Sequence, residues 1–128
     1  MKVTIAQLLN SEVALDSLGA MPIKSTVSFL LSRVIRSVKK EITLYRAEHQ
    51  KLLQRLAVLP EEEKNKAMQK WEFETSEAQA EFQDEYSALL SSEVEIPTGG
   101  FTIGQFKDVT VPANIFVALE WLIHEQPS

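Results

Sequence analysis

Between Ser25 and Val58 the chain has neither glycine nor proline, and its apolar residues return at helical intervals until Pro60 ends the run. This segment constrains the fold more than any other. A seam runs through Val27, Leu31, Val34, Val38, Ile42, Tyr45, His49, Leu52 and Leu56, with steps of three and four and one double four at Val38 and Ile42. Leu30, Ile35, Leu44 and Leu53 flank it. Steps of this kind place one apolar stripe along a single face and predict a helix about 50 Å long that must bury that stripe.

Pro60 followed by Glu61, Glu62 and Glu63 reads as the start of a second helix, because proline suits the first helical position and acids suit the first turn. That helix is expected to run to about Leu90, with a seam of Met68, Trp71, Thr75, Ala78, Phe82, Tyr86 and Leu89. A tight turn at Pro60 would make the two helices antiparallel neighbours. Leu52 would then face Met68, His49 Trp71, Tyr45 Thr75, Ile42 Ala78, Val38 Phe82, Val34 Tyr86 and Leu31 Leu89.

The flanking segments read as shorter elements. Val3 to Ile5 fits a strand or the lead into a helix, and Ser11 reads as the N-cap of a helix over Glu12 to Leu18 that Gly19 ends. Val94-Glu95-Ile96 alternates like a strand before Pro97-Thr98-Gly99-Gly100 breaks the chain. Phe101 to Ile103 and Val109 to Val111 fit a small hairpin or irregular arms. Pro112 is expected to open a last helix carrying Ile115, Phe116, Leu119, Leu122 and Ile123 on one face, with His124 in its final turn and Gln126-Pro127-Ser128 as a frayed end. The expected fold is mainly α in one domain, residues 1–128. Its spine is a long antiparallel helix hairpin over 25–90. Residues 1–20 and 93–128 form a base of short terminal helices at the open end, with room for a two- or three-stranded sheet.

Function is less legible. With 13 basic against 18 acidic residues the formal charge is −5, which gives no general electrostatic drive towards nucleic acid or an anionic membrane. The chain has no cysteine, so disulfides, thiolate metal sites and cysteine nucleophiles are excluded. No stretch approaches the apolar length of a membrane span, and Met1 to Ile5 does not resemble a leader. The two histidines, His49 and His124, are not spaced for zinc, and a seam histidine is more commonly a partly buried, hydrogen-bonded packing residue than a catalyst. Glu61, Glu62 and Glu63 point in different directions around a helix start and do not converge on one ion. Gly99-Gly100 lacks the lysine and hydroxyl of a phosphate loop. No enzyme, cofactor or metal is expected.

What remains is surface. Arg33, Arg36 and Lys40 share one stripe of the first helix, beside Lys39, and are expected either to pair with the neighbouring acidic helix or to meet a partner. Glu77 and Glu81 belong to the acidic outer face of the second helix, and Phe73 falls off its seam, to be packed under the terminal elements or exposed. These six residues are the candidate contacts for another protein, with nucleic acid the less favoured partner, no membrane, and self-association left open.

The opening Lys2-Val3-Thr4-Ile5-Ala6-Gln7-Leu8-Leu9, then Ser11-Glu12 and Ala14-Leu15, together with Val111-Pro112 and Ala118-Leu119-Glu120-Trp121-Leu122-Ile123, resembles small uncharacterised proteins of tailed bacteriophages and prophages. The resemblance covers most of the chain in layout and is close only at the two ends. It implies a phage setting, in the host cytoplasm or the virion, and nothing about catalysis. The long two-helix arm on a compact base, with no pocket chemistry to compete, leads to the expectation of a non-enzymatic accessory or assembly protein that binds another protein. Inhibition of a host defence protein and service as a subunit of a nucleic-acid-processing enzyme are the alternatives. The resemblance assigns no functional residue.

Overall fold

The computed structural model describes residues 1–125, and Gln126-Pro127-Ser128, expected as a frayed end, lies outside them. The chain is mainly helical: β1 (Lys2–Thr4), α1 (Ile5–Gly19), α2 (Ser25–Leu56), a short 3-10 turn at Glu61–Glu63, α3 (Ser76–Ser91), β2 (Glu93–Glu95), β3 (Phe101–Thr102), a second 3-10 turn at Ile103–Phe106, α4 (Ala113–Ala118) and β4 (Ile123–His124). It divides into two compact units, Thr43–Ser92 and the remainder, so α2 contributes its first half to one and its second half to the other.

The split unit holds both small sheets. β1 pairs antiparallel with β2, Val3 opposite Val94, and β3 pairs parallel with β4, Phe101 opposite Ile123. Thr4 then starts α1: its side-chain oxygen accepts from Gln7 N at 3.2 Å while Gln7 Oε1 accepts the Thr4 N–H at 2.8 Å, a reciprocal cap that satisfies two otherwise orphaned donors. α1 therefore begins at Ile5, and Ser11 is not its cap. Ser11 sits fully buried in mid-helix, where Oγ donates to the Gln7 carbonyl at 2.6 Å, lies 3.2 Å from the Ala118 carbonyl and accepts from Trp121 Nε1 at 2.7 Å. Serine suits a helix start and a buried helix-to-helix hydrogen bond for the same reason, a short side chain that reaches backbone, so its identity alone did not discriminate.

α1 packs on α2 at two heights. Lys39 Nζ lies 2.9 Å from Asp16 Oδ2 and 3.1 Å from Glu12 Oε2, and a Cβ on Gly19 would stand 2.8 Å from Ile35 Cδ1. Leu8, Leu15 and Leu18 of α1, Leu31, Val34 and Val38 of α2, and Ile96, Leu119 and Leu122 from the C-terminal part form the core of this unit. At about 25 cal/mol per Å2 of apolar surface, burying each such side chain contributes about 1.5–3 kcal/mol.

The last helix is shorter than expected. α4 stops at Ala118 and the backbone turns at Leu119, which frees Ile123 to pair with Phe101 and places His124 in a strand rather than in a helix turn. Of the face expected there, Ile115, Leu119, Leu122 and Ile123 are nevertheless buried, and Phe116 is half-buried. Val109 to Val111 forms no strand, Val109 N instead donating to the Phe106 carbonyl at 3.2 Å.

In the contiguous unit α3 returns antiparallel to the second half of α2, the expected helical hairpin in a different register. The glutamates after Pro60 make only one 3-10 turn, and the expected helix over 61–75 is absent. Trp71-Glu72-Phe73-Glu74 alternates with a period of two, and extended backbone pairs Glu72 with Val58 through bonds of 2.8 and 2.9 Å. Thr75 then caps α3, its hydroxyl oxygen accepting from Ala78 N at 3.0 Å. Because the connection is long, the partners shift along α3. Met68 is 88% exposed rather than set against Leu52, and Tyr45 reaches Tyr86, about three helical turns beyond the expected Thr75.

Candidate protein-binding surface

One face of the first half of α2 is spent on the core: Val27, Leu31, Val34 and Val38 are buried. Geometry then turns the residues between them outward. Phe29, Arg33, Arg36 and Lys40 follow at steps of four, three and four, so they share one exposed stripe, headed by a phenylalanine 64% open to solvent and flanked by Leu30 at 47%. This extends the basic stripe read from the sequence by an apolar end. Phe29 was missed there, although its spacing from Arg33 was the available signal.

The charges on this stripe are uncommitted. Among the described residues Arg33, Arg36 and Lys40 form no ion pair, so the expected pairing with the acidic helix is not made. Lys39, their neighbour, points to α1 instead, where hydrogen bonds to Asp16 and then Glu12 hold its ammonium above the usual lysine range. The basic run thus divides by function: Lys39 ties two helices together and the other three face solvent.

The remaining candidates lie in the contiguous unit. Phe73 is half-buried, its ring 5.1 Å from that of Phe82. Phe82 stacks on Tyr86 at 5.6 Å, and His49 stands 5.2 Å from Tyr86 and 5.8 Å from Tyr45. Burial among these rings lowers the His49 pKa, and burial, then the hydrogen bond to Tyr86, raises that of Tyr45. No protein atom among the described residues hydrogen-bonds the His49 ring, so the expected hydrogen-bonded histidine is an aromatic packing residue instead. Glu81 faces Arg55 at 3.5 Å and Glu85 pairs closely with the same guanidinium, while Glu77 stays exposed. A groove of about 250 Å3 beside them is lined by Glu48, Lys51, Arg55 and Glu85, whose charges already pair with one another.

The six sequence candidates therefore fall into two sets, three free cations in one unit and three residues already engaged or simply exposed in the other. Among the described residues no group of three or more His, Asp or Glu side chains is arranged to hold a metal ion, and no helix is long and apolar enough to cross a membrane. No protein-family model matches the chain, and no curated protein or solved structure is significantly similar to it.

Proposed function

We propose that this protein acts by binding another protein, as a non-enzymatic accessory or assembly factor, and that the α2 stripe of Phe29, Arg33, Arg36 and Lys40 is its contact. The observation that carries the reading is that Arg33, Arg36 and Lys40 line up on one exposed stripe and, among the described residues, none of them forms an ion pair, whereas Lys39 beside them is tied to Asp16 and Glu12. A row of unpaired cations ending in an exposed aromatic suits an acidic protein surface with an apolar anchor point, since the aromatic supplies buried area and the charges supply register and on-rate. Three cations suit a local acidic patch rather than a long polyanion such as nucleic acid, whose extended charge would meet repulsion from the rest of a molecule of net charge −5. The phage setting expected from the two chain ends, taken as part of this proposal, would place the partner among the components of particle assembly.

The test compares affinity purifications from phage-infected cells using the native protein, an Arg33→Glu/Arg36→Glu/Lys40→Glu variant and a Glu77→Lys/Glu81→Lys variant. A protein recovered with the native chain and the second variant but lost with the first is the expected result. Loss with the Glu77/Glu81 variant alone would move the contact to the acidic helix and favour inhibition of a host defence protein. Loss of nucleic acid, rather than of protein, with the first variant would favour a subunit of a nucleic-acid-processing enzyme.

A further inference from the structure

The chain after β2 crosses α2 and leaves a groove of about 210 Å3 between Leu30, Arg33 and Val34 on one side and the segment from Pro97 to Phe101 on the other. Val34 and Phe101 are buried and make an apolar floor, and Arg33 brings the unpaired guanidinium of the α2 stripe to the rim.

The two glycines here are not equivalent. Gly100 is required by the fold: its φ is +89°, and a Cβ would stand 3.0 Å from the Leu122 carbonyl and 3.1 Å from the His124 ring. Gly99 has neither reason. Its φ is not positive, and a Cβ built on it meets nothing within 4 Å. Gly99 is exposed and lacks a side chain, so another backbone can come close to it. The amides around it are engaged: Thr98 N with the Ile96 carbonyl, Gly100 N with Thr98 Oγ1, Phe101 N with the Leu122 carbonyl and Thr102 N with Gln105 Oε1. The Gly99 N–H has no acceptor among the described residues.

We propose that this groove binds the C-terminal carboxylate of a partner polypeptide, with its last, apolar side chain over Val34 and Phe101. An arginine and a free backbone N–H are the donors that a carboxylate takes, and charge-assisted bonds of this kind are the strong ones. A chain terminus is preferred to a glutamate side chain because its main chain can use the open space beside Gly99. The proposal deepens the reading of the α2 stripe as a contact surface and rests on it.

The probe is the peptide acetyl-Glu-Glu-Glu-Leu, as the free acid and as the C-terminal amide, titrated into the native protein with amide resonances followed by NMR. The free acid is expected to shift Gly99 and Gly100 and to bind about tenfold more tightly than the amide, one charge-assisted hydrogen bond's worth. Gly99→Val, whose melting temperature should match the native protein because its side chain enters open space, is expected to remove that preference, as is Arg33→Gln. Equal binding of acid and amide, no binding of either, or a preference unchanged in Gly99→Val overturns the groove. Equal binding that weakens in Arg36→Glu/Lys40→Glu would overturn the groove while leaving the stripe as a contact surface. Insensitivity to that pair as well would sink both.

Discussion

Single side chains decide more here than their types announce. Ser11 is the clearest case, since three groups converge on its hydroxyl and nothing else in the described chain answers the Trp121 N–H. Ser11→Ala is expected to cost about 1–3 kcal/mol, because a partly buried donor loses its acceptor, and urea unfolding followed by tryptophan fluorescence measures it. The adjacent glycines give a matched pair. Gly100→Ala is expected to cost at least about 1 kcal/mol through its positive φ and the nearby carbonyl, whereas Gly99→Ala should be neutral or slightly stabilising. Sequence reading distinguished neither glycine from the other and put Ser11 at a helix start. Both errors share one origin: a residue's type records the conformations it permits, not which neighbour the folded chain brings to it.

At the scale of elements, the periodicity of α2 was fully legible, because a long uninterrupted seam of three and four has one solution. The start of α3 was not. Pro60 and its glutamates are a sound helix opening, but Trp71-Glu72-Phe73-Glu74 alternates as a strand does, and the pairing of Glu72 with Val58 settles that stretch as extended. Thr75 then carries the cap, so Thr75→Ala should remove about 1 kcal/mol and fray the first turn of α3, visible in hydrogen exchange at Ala78. The aromatic cluster between these helices also responds to acid. The His49 pKa is depressed in the folded state by burial, so the unfolded chain takes up that proton first as pH falls. The contribution is fully present above the ordinary histidine value and is lost as pH drops through the lower folded value. Stability of the native protein should therefore decline below about pH 6.5, and His49→Phe should flatten that part of the profile in denaturant midpoints.

For the whole molecule, the mainly helical class and the buried set at the C-terminal end were readable, since apolar residues sought the core whether in helix, turn or strand. The groove beside Arg33 was not readable. It arises where a loop crosses a helix far away in sequence, and no local pattern encodes that meeting. The charge of the molecule carries its own prediction: an acidic partner on three exposed cations should dissociate as salt is raised from about 50 to 500 mM, with the loss concentrated in the association rate. One further consequence follows from the division of the chain. Thr43–Ser92 is continuous, while the strands of the other unit join Val3 to Val94 and Phe101 to Ile123. On a ribosome the middle of this polypeptide can therefore acquire its structure while the leading segment still waits for the last third to emerge. Pulse-labelled refolding should show protection arising around Phe82 before it arises at Val3, an order of events set by connectivity rather than by stability.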